Sequence, residues 1–280
     1  MLKKTFGQEW LDQQFALPLE ERHVVTKWLS ELTELQTRNT PVHHQPGDRH
    51  VTTATGGAKH AILLGRDLYY LQRVERLPER LIDDLRNRDQ FQGAWYEIAI
   101  AGALVLAGFE IAWLLKKSEG HCEFTAYHRF TKEKFVVEAK SKHYPGILNH
   151  PGNKPDELRV LAHRNFRDAL KKGTDGLPFV IFVDVNMPPT DTIEEAEREW
   201  TFHMRKNIEP HGQDAEHPAK FSFVVCTNFT WHQRIHDPAT QWSPPFVYRP
   251  PHCEYPLGNN TLNGIMIGVQ RSAVLPDANL

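Results

Sequence analysis

The chain has 280 residues, 40% hydrophobic and 24% charged, which is ordinary globular usage and enough for one large domain or two small ones. A formal net charge of −2 and a pI near 6.8 exclude a generally basic protein, so any nucleic-acid contact must come from a local patch. Three widely spaced cysteines, Cys122, Cys226 and Cys253, exclude a disulfide framework and fit reduced, cytoplasmic thiols.

Residues 8 to 38 read as helix, with Trp10, Phe15, Val24, Val25, Trp28, Leu29 and Leu32 at mostly helical spacing and Pro18 dividing the stretch. A polar loop follows over 39 to 57, with Pro41, His43, His44, Pro46 and Gly47. A second helical region over 58 to 86 carries Leu63, Leu64, Leu68 and Leu71 and, beyond Pro78, Leu81, Ile82 and Leu85. Residues 1 to 86 are therefore expected to form a helical N-terminal region. Two lysines without an apolar run behind them make no secretory signal at the start of the chain.

The next helix is expected to begin at Asp89 as N-cap and to end with Gly108 just past its C-cap. It is apolar nearly all round, hence central. Ile98 to Leu115 does not read as a membrane span, because Gly108 breaks it and Glu110 interrupts it. Strands are expected over 109 to 114, 122 to 130 and 135 to 141. Pro155 opens an expected helix through Lys172, closed by Gly173. Pro178 to Val185 is a continuous apolar run, as in a strand buried on both faces. A helix over 192 to 208 begins with Thr192 and Glu195 in capping-box spacing, and Phe221 to Phe229 is a strand. From 236 onward a proline-rich segment, irregular apart from a short apolar stretch at Ile265 to Val269, is expected to pack on the core.

The strand Lys134-Phe135-Val136-Val137-Glu138-Ala139-Lys140 holds the one Glu in the sequence followed two residues later by Lys. Residues two apart on a strand share a face, so Glu138 and Lys140 lie side by side with Val136, while Phe135, Val137 and Ala139 face the other layer. Opposite charges at the end of an apolar strand are costly unless something uses them, and a divalent ion with a phosphodiester would use both. Basic character gathers here: residues 116 to 142 carry seven positive and four negative groups, against three and eight over 191 to 216. On the preceding helix, Glu97 shares a stripe with Gly93, Ala94, Ala101 and Leu104, which points its carboxylate into the protein.

Helix, three strands, helix, strand, with Glu97 in the first helix, Glu123 in the second strand and Glu138-Ala139-Lys140 in the third, resembles the PD-(D/E)XK nuclease superfamily over residues 88 to 187, extending toward 230. The resemblance implies an α/β fold with a restriction-endonuclease-like αβββαβ core, a mixed central sheet flanked by helices, spanning residues 87 to 235. It implies a metal-dependent (endo)nuclease in which Glu97, Glu123 and Glu138, with the Ala139 carbonyl, bind Mg²⁺ or Mn²⁺ and Lys140 assists the attack of water. The second-strand acid is more often Asp, and Glu123 reaches about 1.5 Å further. The chemistry suits the residues: Mg²⁺ is a hard ion that prefers oxygen ligands, and a compact ammonium beside it can stabilise developing charge. DNA is expected over RNA because the superfamily leans that way, with a homodimer or a partner protein as further options.

On the Pro155 helix, Arg159, His163 and Arg167 share a face suited to backbone phosphates, or to solvent. His121, His128, His143 and His150 lack the spacing of a zinc site. Trp200, Trp231 and Trp242 read more readily as core than as stacking platforms. Two other readings stay open: an inactive core that binds nucleic acid or supports assembly, and a structural protein in which Glu138 is half of an ion pair.

Overall fold

The computed structural model describes residues 1–39, 52–75, 77–114, 121–148, 150–154, 159–189, 198–230 and 243–275. The expected features at His43, His44, Pro155, Thr192, Glu195, Trp231 and Trp242 lie outside these residues.

The N-terminal third is helical: α1 (Leu2–Phe6), α2 (Gln8–Phe15), α3 (Val24–Asn39), α4 (Gly56–Val74) and α5 (Glu79–Arg86). Pro18 and Pro78 stand at the breaks, each just before a new turn, where their missing N–H costs nothing. Then come α6 (Phe91–Leu106), β1 (Phe109–Trp113), β2 (Phe124–His128), β3 (Lys134–Ser141), α7 (His163–Ala169) and β4 (Phe179–Asp184). This is the expected order of helix, three strands, helix and strand. The chain continues through α8 (Glu199–Ile208), β5 (Phe223–Thr227), β6 (Phe246–Tyr248) and α9 (Asn259–Ser272).

The strands form one mixed six-stranded sheet in the order β1 to β6, so the protein is α/β. The hairpin pairs β1/β2 and β2/β3 are antiparallel, β3/β4 and β4/β5 are parallel, and β6 returns antiparallel. Two apolar layers cover the sheet. One contains Phe135, Val137 and Ala139 with α6 and the N-terminal helices, including Phe6, Trp28 and Leu64. The other contains Val136, Ile181 and Val183 with Phe166 of α7 and Trp200 and Met204 of α8. The N-terminal helices and the sheet thus share one core, and Trp200 is a core residue. No helix among the described residues is long and apolar enough to cross a membrane.

Three local expectations change, and one at Gly108 holds. Asp89 is not the N-cap of α6: Asn87 organises that junction, accepting Asp89 N–H on Oδ1 (2.9 Å) and Phe91 N–H on its carbonyl (2.8 Å), and Gln90 takes the cap position. Gly108 does follow the C-cap, at φ 88°, where a side chain would be strained. The helix expected from Pro155 to Lys172 is only α7, because Arg159 to Leu161 run irregularly, with the Arg159 carbonyl accepting from Tyr144 OH at 2.7 Å, and Gly173 bridges to His121. The segment after 236 is not merely irregular, since α9 packs along α6. Gly268 makes that contact possible: a Cβ there would lie 2.5 Å from the Ala103 carbonyl oxygen.

Candidate active site

Strand alternation puts Glu138 and Lys140 on the α7 face of β3. Glu123 joins them from the residue before β2: its N–H donates to Val137 O (3.0 Å) and its carbonyl accepts from Leu114 N–H (3.0 Å), which continues the ladder and turns its side chain opposite to Phe124. Lys140 Nζ then lies 3.2 Å from Glu123 Oε1 and 2.6 Å from Glu138 Oε1. Glu97 approaches from α6, one turn beyond Gly93, which lies against the His143 ring.

Glu97 is not held by Lys140 directly. Arg80 of α5, which the sequence reading missed, places Nη2 3.1 Å from Glu97 Oε2 and 3.8 Å from Glu123 Oε2, and Nη1 2.6 Å from Asp84 Oδ2. Lys172, also missed, stands 3.9 Å from Glu138 Oε1. The result is a chain of alternating charges, from Asp84 through Arg80, Glu97 and Glu123 to Lys140, Glu138 and Lys172. A pocket of about 510 Å³ opens over it, lined by Arg80, Glu97, Glu123, Ala139, Lys140 and Lys142 among others. Glu138 is fully buried and does not reach the pocket wall.

The electrostatics follow from that burial. Desolvation raises the Glu138 carboxyl above the usual carboxylate range, against the pull of Lys140. Burial works against the Lys140 charge, yet Glu138 and Glu123 more than offset it and hold the ammonium well above its ordinary range. Burial followed by the same two carboxylates pushes the Cys122 thiol up to about 12, so it stays protonated. His143, on the pocket wall, is driven down to about 4 by burial and by His150, Lys142 and Lys140, which keeps it neutral at pH 7.

The donor set suits a hard divalent cation in kind: three carboxylates, with Glu138 Oε2 buried and without a hydrogen-bond donor among the described residues. The geometry as found is closed by Arg80 and Lys140. No group of three or more His, Cys, Asp or Glu side chains among the described residues is arranged to hold a metal ion. His121 sits in its bridge to Gly173, His128 Nδ1 pairs with Thr131 Oγ1 at 2.8 Å, and the rings of His143 and His150 meet at 5.4 Å.

The expected phosphate-contacting face on α7 is not formed by its three residues. Arg159 precedes the helix, and Arg167 Nη2 donates to Asn207 Oδ1 of α8 at 3.1 Å, so only His163 and Arg167 are a helical turn apart. A different cationic pair stands near the pocket: Lys142, on its wall, has its pKa lowered by burial and by Arg164, and neither has a carboxylate partner among the described residues. Arg164 was legible as a basic residue beside His163, but nothing in the sequence links it to Lys142. Comparison with known proteins gives no match among family models, curated proteins or solved structures.

Proposed function

We propose that this protein is a metal-dependent nuclease with a restriction-endonuclease-like core, acting on the phosphodiester bonds of nucleic acid, DNA in the first instance. The observation that carries the proposal is the convergence of Glu97, Glu123, Glu138 and Lys140 from one helix and two strand ends around a pocket at the carboxyl end of β3. In open sheets with parallel strands, ligands settle at such ends. Glu97 and Glu123, which line the pocket, would hold Mg²⁺ or Mn²⁺, with Glu138 and the Ala139 carbonyl completing the oxygen set. The ion, when bound, supplies Lewis-acid activation and neutralises phosphate charge.

The chain's own residues supply the rest. Lys140 stays cationic at every physiological pH and stabilises negative charge that develops at the reacting phosphate. Lys142 and Arg164 are like charges, neither with a carboxylate partner among the described residues, an arrangement that gains energy when an anionic backbone arrives. His143, kept neutral, presents an uncharged imidazole at the pocket wall.

The closed ion chain favours one other reading, an inactive module that binds nucleic acid through Lys142 and Arg164 and never takes up metal. The experiment that separates them is calorimetric titration with Mn²⁺, followed by Mg²⁺- and Mn²⁺-dependent cleavage of single- and double-stranded DNA and RNA. Metal binding and cleavage, both lost in Glu138→Ala, support the nuclease. Salt-dependent nucleic-acid binding without metal uptake supports the module and ends the nuclease proposal.

A further inference from the structure

The two carboxylates that reach the pocket already share a cation. Arg80 Nη2 faces both Glu97 Oε2 and Glu123 Oε2, which are the oxygens a divalent ion would need. The partners differ in exposure. The Arg80 side chain is 38% exposed on the pocket wall, whereas those of Glu97 and Glu123 are 8% and 1% exposed. A long flexible cation therefore reaches in from solvent to cover acids fixed by α6 and by the β2/β3 ladder.

Arg80 also has a second mooring. Its Nη1 lies 2.6 Å from Asp84 Oδ2, one turn along α5, and this contact uses the opposite nitrogen of the guanidinium. Swinging off Glu97 and Glu123 thus leaves the charge partnered at the surface. Lys140 has no such exit, because it is tied to the fully buried Glu138.

We infer that Arg80 is an exchangeable counter-ion, which closes the Glu97–Glu123 pair in the metal-free protein and is displaced toward Asp84 when a divalent cation enters. The inference rests on the metal-dependent reading above. It accounts for a donor set of the right kind that is not arranged as a metal site, and it makes the strength of metal uptake depend on a residue that is not itself a ligand. The guanidinium protects buried carboxylates from mutual repulsion until the ion replaces it.

The test uses the full chain with Mn²⁺ alone as probe, read by calorimetry and by thermal unfolding with and without the ion. Arg80→Gln removes the competitor and should bind Mn²⁺ about tenfold more tightly or better, with a lower metal-free unfolding temperature that Mn²⁺ restores. Asp84→Asn removes the second mooring at a half-buried position and should weaken Mn²⁺ binding. Tighter binding in the first variant and weaker binding in the second establish the exchange. Wild-type binding left unchanged or weakened by Arg80→Gln overturns it while leaving the nuclease proposal standing. Should Arg80→Gln fail to fold, unchanged or tighter binding by Asp84→Asn overturns it alone. If neither wild type nor the variants bind Mn²⁺, the metal-dependent reading fails and takes this inference with it.

Discussion

Two acids sit fully buried on neighbouring parallel strands, and they are satisfied in opposite ways. Asp184 of β4 is enclosed by neutral donors: Thr227 Oγ1 (3.1 Å) and Phe229 N–H (3.0 Å) reach Oδ1, and Ser141 Oγ (3.3 Å) reaches Oδ2. Ser141, Asp184 and Thr227 lie in register across β3, β4 and β5, so the sheet itself aligns the acid with two of its donors. Glu138 of β3 has no neutral donor among the described residues. It is compensated by cations, Lys140 and Lys172, and keeps one oxygen without a hydrogen bond. A buried carboxyl met by fixed dipoles is held by the sheet itself, while one met by cations depends on charges carried by two long side chains.

The sharpest way to break this contrast is Glu138→Ala. If the carboxylate serves metal chemistry, cleavage should fall by about 10³-fold or more, with stability unchanged or raised, because a desolvated acid has been removed. If Glu138 is only half of a buried ion pair, the same substitution should cost about 3–5 kcal/mol in urea unfolding. Lys140→Ala comes next: turnover should fall by about 10²–10³-fold while calorimetry still shows Mn²⁺ uptake, if the ammonium acts on developing charge as proposed. Loss of Mn²⁺ binding in Lys140→Ala would make the lysine part of the scaffold instead.

Asp184→Ala probes the other acid. It strands buried donors on Thr227, Phe229 and Ser141 and should destabilise the fold by about 1–3 kcal/mol, with Mn²⁺ affinity unaltered. A change in metal affinity would join the two acids into one site. A smaller effect is expected at the pocket edge, where Lys142→Ala or Arg164→Ala should reduce the salt dependence of DNA binding by about one counterion each, alike for all sequences. An unchanged slope would show that this cationic pair faces only solvent.

Much of this contrast was legible in the sequence, for identifiable reasons. The alternation along Phe135 to Lys140 fixed which face Glu138 and Lys140 share, and the small stripe of Gly93, Ala94 and Ala101 turned Glu97 inward. The run from Pro178 to Val185 had to be a central strand, and it is β4. Asp184, the acid at its end, gave no warning of its three donors, because two of them arrive from strands 43 residues away on either side. Arg80 was hidden for the same reason: its partners Glu97 and Glu123 come from α6 and the start of β2, so no local spacing connects them. The helix α9 was missed because Gly264 and Gly268 lower its helical propensity, and their small size matters only once Phe109 and the Ala103 carbonyl are packed against them. Patterns within one element were readable, whereas contacts between elements had to be seen.

The subtlest effect belongs to Asp184→Asn, which keeps the shape and separates the acid's charge from its hydrogen bonds. Burial raises the Asp184 carboxyl from 3.8 to about 7, partly offset by the donors from Phe229, Thr227 and Ser141. The folded chain therefore holds this proton over a range in which the unfolded chain has released it. Stability from this group is fully present below about pH 4 and is lost as pH rises through about 7. Asparagine carries no such proton, still accepts on Oδ1 from Thr227 and Phe229, and turns its amide toward Ser141. The difference in urea midpoint between wild type and Asp184→Asn should thus favour wild type most at pH 4.5 and shift toward the variant by pH 7.5, which cancels the titrations both proteins share. Parallel midpoints across that range would mean that the three donors hold the carboxylate ionised in the fold. The two buried acids would then differ in their neighbours but not in their charge.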